Sequence, residues 1–67
     1  MVNTSKIRGR MVQLGISNNE AASALNLSVA VTVKKLNNLS VLNLAEAETL
    51  AALLEISDQA FGEYFFA

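Results

Sequence analysis

Two short segments, Ser17-Asn18-Asn19-Glu20 and Asn43-Leu44-Ala45-Glu46, constrain this chain more than anything else in it. Each reads as a capping box. The first side chain accepts from the N–H three residues on, and the glutamate reaches back to the N–H of the cap. Two helix starts are thereby marked within 67 residues, and the signals around them are helical too. A first helix is expected from Thr4 or Ser5, whose hydroxyls can cap it, to Leu14. Ile7, Met11 and Leu14 form its apolar stripe, and Gly15 ends it by entering the left-handed region at no steric cost. The second helix spans about 18–25, with Ala21, Ala22 and Ala24 allowing a close neighbour. Asn26 suits a left-handed turn, and Ser28 then caps a third helix over about 29–37. Asn37-Asn38 closes it, and residues 39–42 form a loop. The fourth helix, about 44–54, turns Leu44, Ala47, Leu50, Ala51 and Leu54 inward. Ser57 caps a short fifth helix over about 58–62. All four aromatic residues lie in the last seven positions, which reads as a tail that plugs the core.

One stretch argues both ways. In "LSVAVTVKKLNNL", residues 27 to 39, valines stand at every second place, as in a strand. Branching at Cβ also makes valine and threonine poor helix formers. A strand needs a partner, however, and no other stretch of the chain alternates. As a helix, the segment puts Val29, Val33 and Leu36 on one face and Thr32 and Leu36 on a neighbouring one. Helix is the expectation. It leaves open a rotation in which Val29 or Val33 packs inside and Thr32 faces out.

The expected class is therefore all-α, a single domain of four or five helices with a small core. Hydrophobic residues make up 52% of the chain and the mean hydropathy is +0.36, a packed composition. The longest uncharged stretch, Ala21 to Val33, is interrupted by Ser, Asn and Thr and is not expected to span a membrane. No apolar run with a small-residue cleavage site marks a signal peptide. With neither Cys nor His, the chain lacks thiol and imidazole chemistry and the usual zinc ligands. Glu46 and Glu48 stand two apart on a helix and do not face each other. No catalytic residue, metal site, cofactor or small-molecule substrate is expected, and the chain reads as no enzyme.

The net charge of −1 hides a segregation. Residues 1–39 carry five bases and one acid, a net +4; residues 40–67 carry five acids and no base, a net −5. Such a split suggests an oriented encounter with an anionic partner.

The order of these signals carries a family likeness. "GISNNEAASALNLS", "KKLNN" and "LNLAEAETLAALLEIS" give a glycine stop, a capping box, an alanine-bearing helix, a turn, a Ser-capped helix, an Asn-Asn stop and a capped fourth helix. From about Lys6 to Phe66 the chain resembles the Cro/C1-type, or lambda repressor-like, helix-turn-helix family. "FGEYFF" looks like the ending of small phage-encoded members. The resemblance implies a lambda repressor-like domain acting as a transcriptional regulator in the cytoplasm of a bacterial host, with double-stranded DNA as its partner. The third helix would enter the major groove. Ser28, Val29, Ala30, Thr32, Val33 and Lys34 would then face bases. Lys6, Arg8, Arg10, Asn18, Asn19, Lys35, Asn37 and Asn38 would lie along phosphates. Asn26 stands where the family usually has glycine. With about four phosphate contacts, affinity would fall with a log–log salt slope near −3.6.

Val29 and Val33 depart from the family, which usually offers polar readers there. Valine can touch a thymine methyl but makes no bidentate hydrogen bond to a base. The alternative expectation is an antirepressor or other protein-binding modulator on the same scaffold. It would grip a partner repressor, or pair with a second copy, through Val29, Val33, Leu39 and Val41.

Overall fold

Every helix in the chain starts on a polar side chain. The computed structural model describes residues 1–66 and contains five helices: α1 Thr4–Leu14, α2 Asn18–Leu25, α3 Val29–Leu36, α4 Leu44–Leu53 and α5 Asp58–Phe65. Asn3, Ser17, Ser28, Asn43 and Ser57 cap them in turn, each accepting from the N–H three residues on. Such a bond satisfies one of the orphan donors at a helix start, and its loss costs about 1 kcal/mol. Both capping boxes are formed in full. No strand occurs among the described residues, and none of the described helices is long and apolar enough to cross a membrane.

The first four helices also stop alike. Gly15, Asn26, Asn38 and Glu55 take left-handed backbone, with φ of 67°, 58°, 62° and 55°. The N–H of the next residue then reaches five residues back: Ile16 to Met11, Leu27 to Ala22, Leu39 to Lys34 and Ile56 to Ala51. This is the Schellman arrangement, which satisfies carbonyls the helix end leaves free. Glu55 is the costly member of the set, because its Cβ crowds the carbonyl in this region. Glu55→Gly should stabilise the protein by about 1 kcal/mol, read as a rise in thermal midpoint. A fall would show that the Glu55 side chain contributes more than its backbone strain costs.

Between these punctuated ends the apolar stripes meet. Ile7, Leu36, Leu50 and Leu54 are fully buried, with Val2, Met11, Ala21, Ala47, Ala51 and Phe65 packed around them. Each large side chain so buried stabilises by roughly 1.5–3 kcal/mol. α2 lies against both α3 and α4, which its alanines permit, and α1 meets α5. The first residues are tied down. The Val2 N–H donates to Asn38 Oδ1 and the Asn38 amide donates back to the Val2 carbonyl, both at 2.9 Å. The Asn3 N–H donates to the Tyr64 carbonyl at 2.8 Å.

Three expectations change. The cap of α1 is Asn3, and Thr4 instead donates its hydroxyl to the Leu36 carbonyl at 2.6 Å. Leu44 is exposed, because it opens α4 ahead of the turns that touch the core. α5 runs through Gly62 to Phe65. The rings of Phe61 and Phe65, one turn apart, lie 4.7 Å from centroid to centroid, and burial of Phe65 outweighs the roughly 1 kcal/mol that a helical glycine costs. Of the aromatic tail, Phe65 plugs the core while Phe66 stays outside it.

Candidate nucleic-acid interface

Helical spacing decides which side of α3 is available. Thr32 and Leu36, four residues apart, point inward and are fully buried. The rotation that would turn Thr32 outward is not adopted, and Thr32 lies off the outer face. Its hydroxyl is buried without a hydrogen-bond partner. Opposite this seam stand Ala30, Val31 and Lys34, all exposed, flanked by exposed Ser28 and Val29 and half-buried Val33. Ser28 spends its oxygen on the Val31 N–H at 3.2 Å, leaving its hydroxyl hydrogen to donate. Val31 is the outward residue that reading from sequence passed over. Its place three residues before Lys34 was the available signal.

Most of the basic side chains expected along phosphates have partners inside the chain. Lys35 holds both carboxylate oxygens of Glu46, at 2.8 and 3.1 Å, in a pair that is mostly buried. Arg10 donates to the Leu54 carbonyl at 2.8 Å and the Glu55 carbonyl at 3.2 Å, closing the end of α4. Lys6 meets Glu63 at 2.9 Å in the open and lies 5.1 Å from the centre of the Tyr64 ring. Arg8 donates to Asn37 Oδ1 at 3.1 Å. Asn38 is occupied by Val2. Lys34 alone among the five bases has no bond to another described residue. The charge split of the sequence is therefore folded back on itself: Lys6, Arg10 and Lys35 all reach into the acidic half. Asn18 is half-buried and Asn19 exposed in the first turn of α2. N–H groups there favour an anion.

Glu46 shows how closely this edge is tied to folding. The Lys35 ammonium, and after it the Asn43 N–H, hold its carboxyl below the usual glutamate value of 4.5. A depressed carboxylate contributes stability above its unfolded value, and the contribution is lost as pH falls through the folded value. Unfolding monitored across the acid range should thus show stability falling below about pH 4.5. In Glu46→Gln, stability at neutral pH should be lower by about 1 kcal/mol and the acid slope shallower. An unchanged acid slope in the variant would remove Glu46 from this role. Glu63 is lowered by Lys6 in the same way, but that pair is exposed and screened.

Comparison with protein-family models, with curated proteins and with solved structures yields no match to this chain.

Proposed function

We propose that the chain is a small transcriptional regulator of the Cro/C1 type, which binds duplex DNA by laying α3 in the major groove. The carrying observation is the α2–turn–α3 unit. A left-handed Asn26 and a capping Ser28 start a short helix whose outer face, from Ser28 to Lys34, is open to a partner. In the resembling family this unit reads DNA. Lys34 lies where it can hold a phosphate or a guanine edge. Ser28 can donate to an acceptor, and Val29, Ala30 and Val31 fit thymine methyls. Such a face favours A·T-rich sites. Lys6 and Arg8 can exchange weak surface partners for phosphates, whereas Arg10 and Lys35 stay with the fold. Roughly three phosphate contacts per copy remain, for a log–log salt slope near −2.7.

Titration into labelled duplex DNA of random sequence at several salt concentrations tests this reading. Binding at low salt that falls with that slope supports it, and Lys34→Glu should weaken it at least about tenfold. No binding at low salt overturns it. One observation favours a second reading, the protein-binding modulator: valines dominate the outer face of α3 while four of the five bases have internal partners. On that reading the DNA titration stays flat. Val29→Asp together with Val33→Asp then abolishes capture of a partner repressor without loss of helical signal.

A further inference from the structure

Pairing inside the chain uses up its charges unevenly. Glu20 is held in its capping box, Glu46 by Lys35 and Glu63 by Lys6. Among the described residues, the carboxylates of Glu48, Glu55 and Asp58 meet no base and no other hydrogen-bond donor. Asp58 opens α5, where a carboxylate favours the helix start. Glu48 stands midway along α4, with no base one turn away on either side.

These last two line one groove. An open trough of about 520 Å³ runs between the outer side of α4 and the first turn of α5. Leu44, Ala52, Ile56 and Phe61 form its apolar walls, and Glu48 and Asp58 put charge along them. Helical spacing makes the α4 wall. Leu44, Glu48 and Ala52 follow one another at four-residue steps, so they form one exposed row about 12 Å long. Leu44, 59% exposed, is the end of that row. Ile56 and Phe61 are packed against the core, so the facing wall is fixed.

The chemistry of the lining selects the occupant. DNA, or any other polyanion, would meet two carboxylates here. A second copy set face to face would bring four carboxylates together with no base among them, and like charges so placed repel. A small molecule needs walls that enclose most of its surface, and this trough is open along its length. What fits is an apolar side chain in the trough with positive charge on either side of it. A short helix with apolar residues at i, i+3, i+4 and i+7 and lysine or arginine beside them presents that pattern. Roughly two turns of it match the α4 row in length.

We propose that the groove between α4 and α5 docks a basic amphipathic helix of a partner protein. One apolar side chain of that helix sits between Leu44, Ala52 and Phe61, and cationic ones pair with Glu48 and Asp58. The contact does not depend on what α3 binds. The docked area is small, so the contact is transient, with a dissociation constant on the order of 10–100 µM.

The probe is a fluorescein-labelled helical peptide of about 14 residues, with leucine at that spacing and lysine beside it. The full chain is titrated into it at about 150 mM salt and followed by fluorescence anisotropy. Saturable binding is expected. Glu48→Gln together with Asp58→Asn should weaken it at least about tenfold while helical circular dichroism is retained. Ala52→Lys, which fills the trough and reverses its charge, is an independent second variant should the first fail to fold. Glu20→Gln together with Glu63→Gln removes the same charge elsewhere, and glutamine can still complete the capping box. That pair should leave binding within about twofold. Absence of saturation overturns the proposal, as does binding that both groove variants leave intact. Equal losses in the two double variants, or equal binding of a peptide with serine in place of leucine, also overturn it by showing attraction through net charge alone. Self-association in sedimentation equilibrium that Ala52→Lys abolishes overturns it too, assigning the groove to a second copy. Failure of the DNA titration leaves all these readings unchanged.

Discussion

Leu36→Ala should leave a largely unfolded chain in solution. Leu36 is fully buried at the point where the last turn of α3 meets the core. Removing its side chain loses the transfer energy of the deleted atoms and opens a cavity in the core cluster that also holds Ile7, Leu50 and Leu54, for a total of about 2–5 kcal/mol. A core of this size rarely supplies more than about 3–5 kcal/mol in all, so one such deletion consumes most of the stability. Urea unfolding followed by far-ultraviolet circular dichroism reads the effect. Leu36→Met, which nearly keeps the volume, should cost less than about 1.5 kcal/mol. If the alanine variant melts within a few degrees of the parent, α3 is not anchored through Leu36.

Thr32→Val has the opposite expected sign. Thr32 is the one buried polar residue among those described, and its Oγ1 has no partner. Burying an unpaired hydroxyl costs about 1–3 kcal/mol, and exchange for a methyl of similar shape recovers much of that. Both side chains are branched at Cβ, so helix propensity changes little. A gain of about 1–2 kcal/mol corresponds to a rise of roughly 4–16 °C in thermal midpoint for a domain of this size. The residue is inside, so binding through the outer face of α3 should be unchanged. A lower midpoint in Thr32→Val would show that the hydroxyl is bonded in solution after all. Such a bond would run most simply to the Ser28 carbonyl one turn back.

The helix starts were legible in the sequence because capping is local. Ser17, Ser28, Asn43 and Ser57 each need only an N–H three residues away, and no distant neighbour can alter that. The stops at Gly15 and Asn26 follow for the same reason. Glu55 was not legible as a stop, since its left-handed backbone is imposed by what surrounds it. Arg10 bonding the Leu54 and Glu55 carbonyls, and Ile56 packed against the core, make glutamate tolerable where glycine is usual. The length of α5 was likewise decided by packing, when burial of Phe65 carried the helix past Gly62.

The candidate site divides along the same line. Alternating valines in α3 could not by themselves say which face turns inward, since Val29 with Val33 and Thr32 with Leu36 are equally spaced pairs. The close fit of α2 against α3 chose the second pair, leaving the valines and Lys34 at the surface. Charge was misleading for a related reason. A net +4 over residues 1–39 counts bases without saying where they go, and folding turned Lys6, Arg10 and Lys35 toward residues 46 to 63. The groove at Leu44, Ala52, Ile56 and Phe61 joins two helices and the link between them, and only the tertiary structure brings them together. Composition and spacing thus determined that this chain forms helices and where α2 to α5 begin. The buried faces, the bases left over for a partner and the uncovered apolar surface were decided by packing, because each depends on contacts between residues distant along the chain.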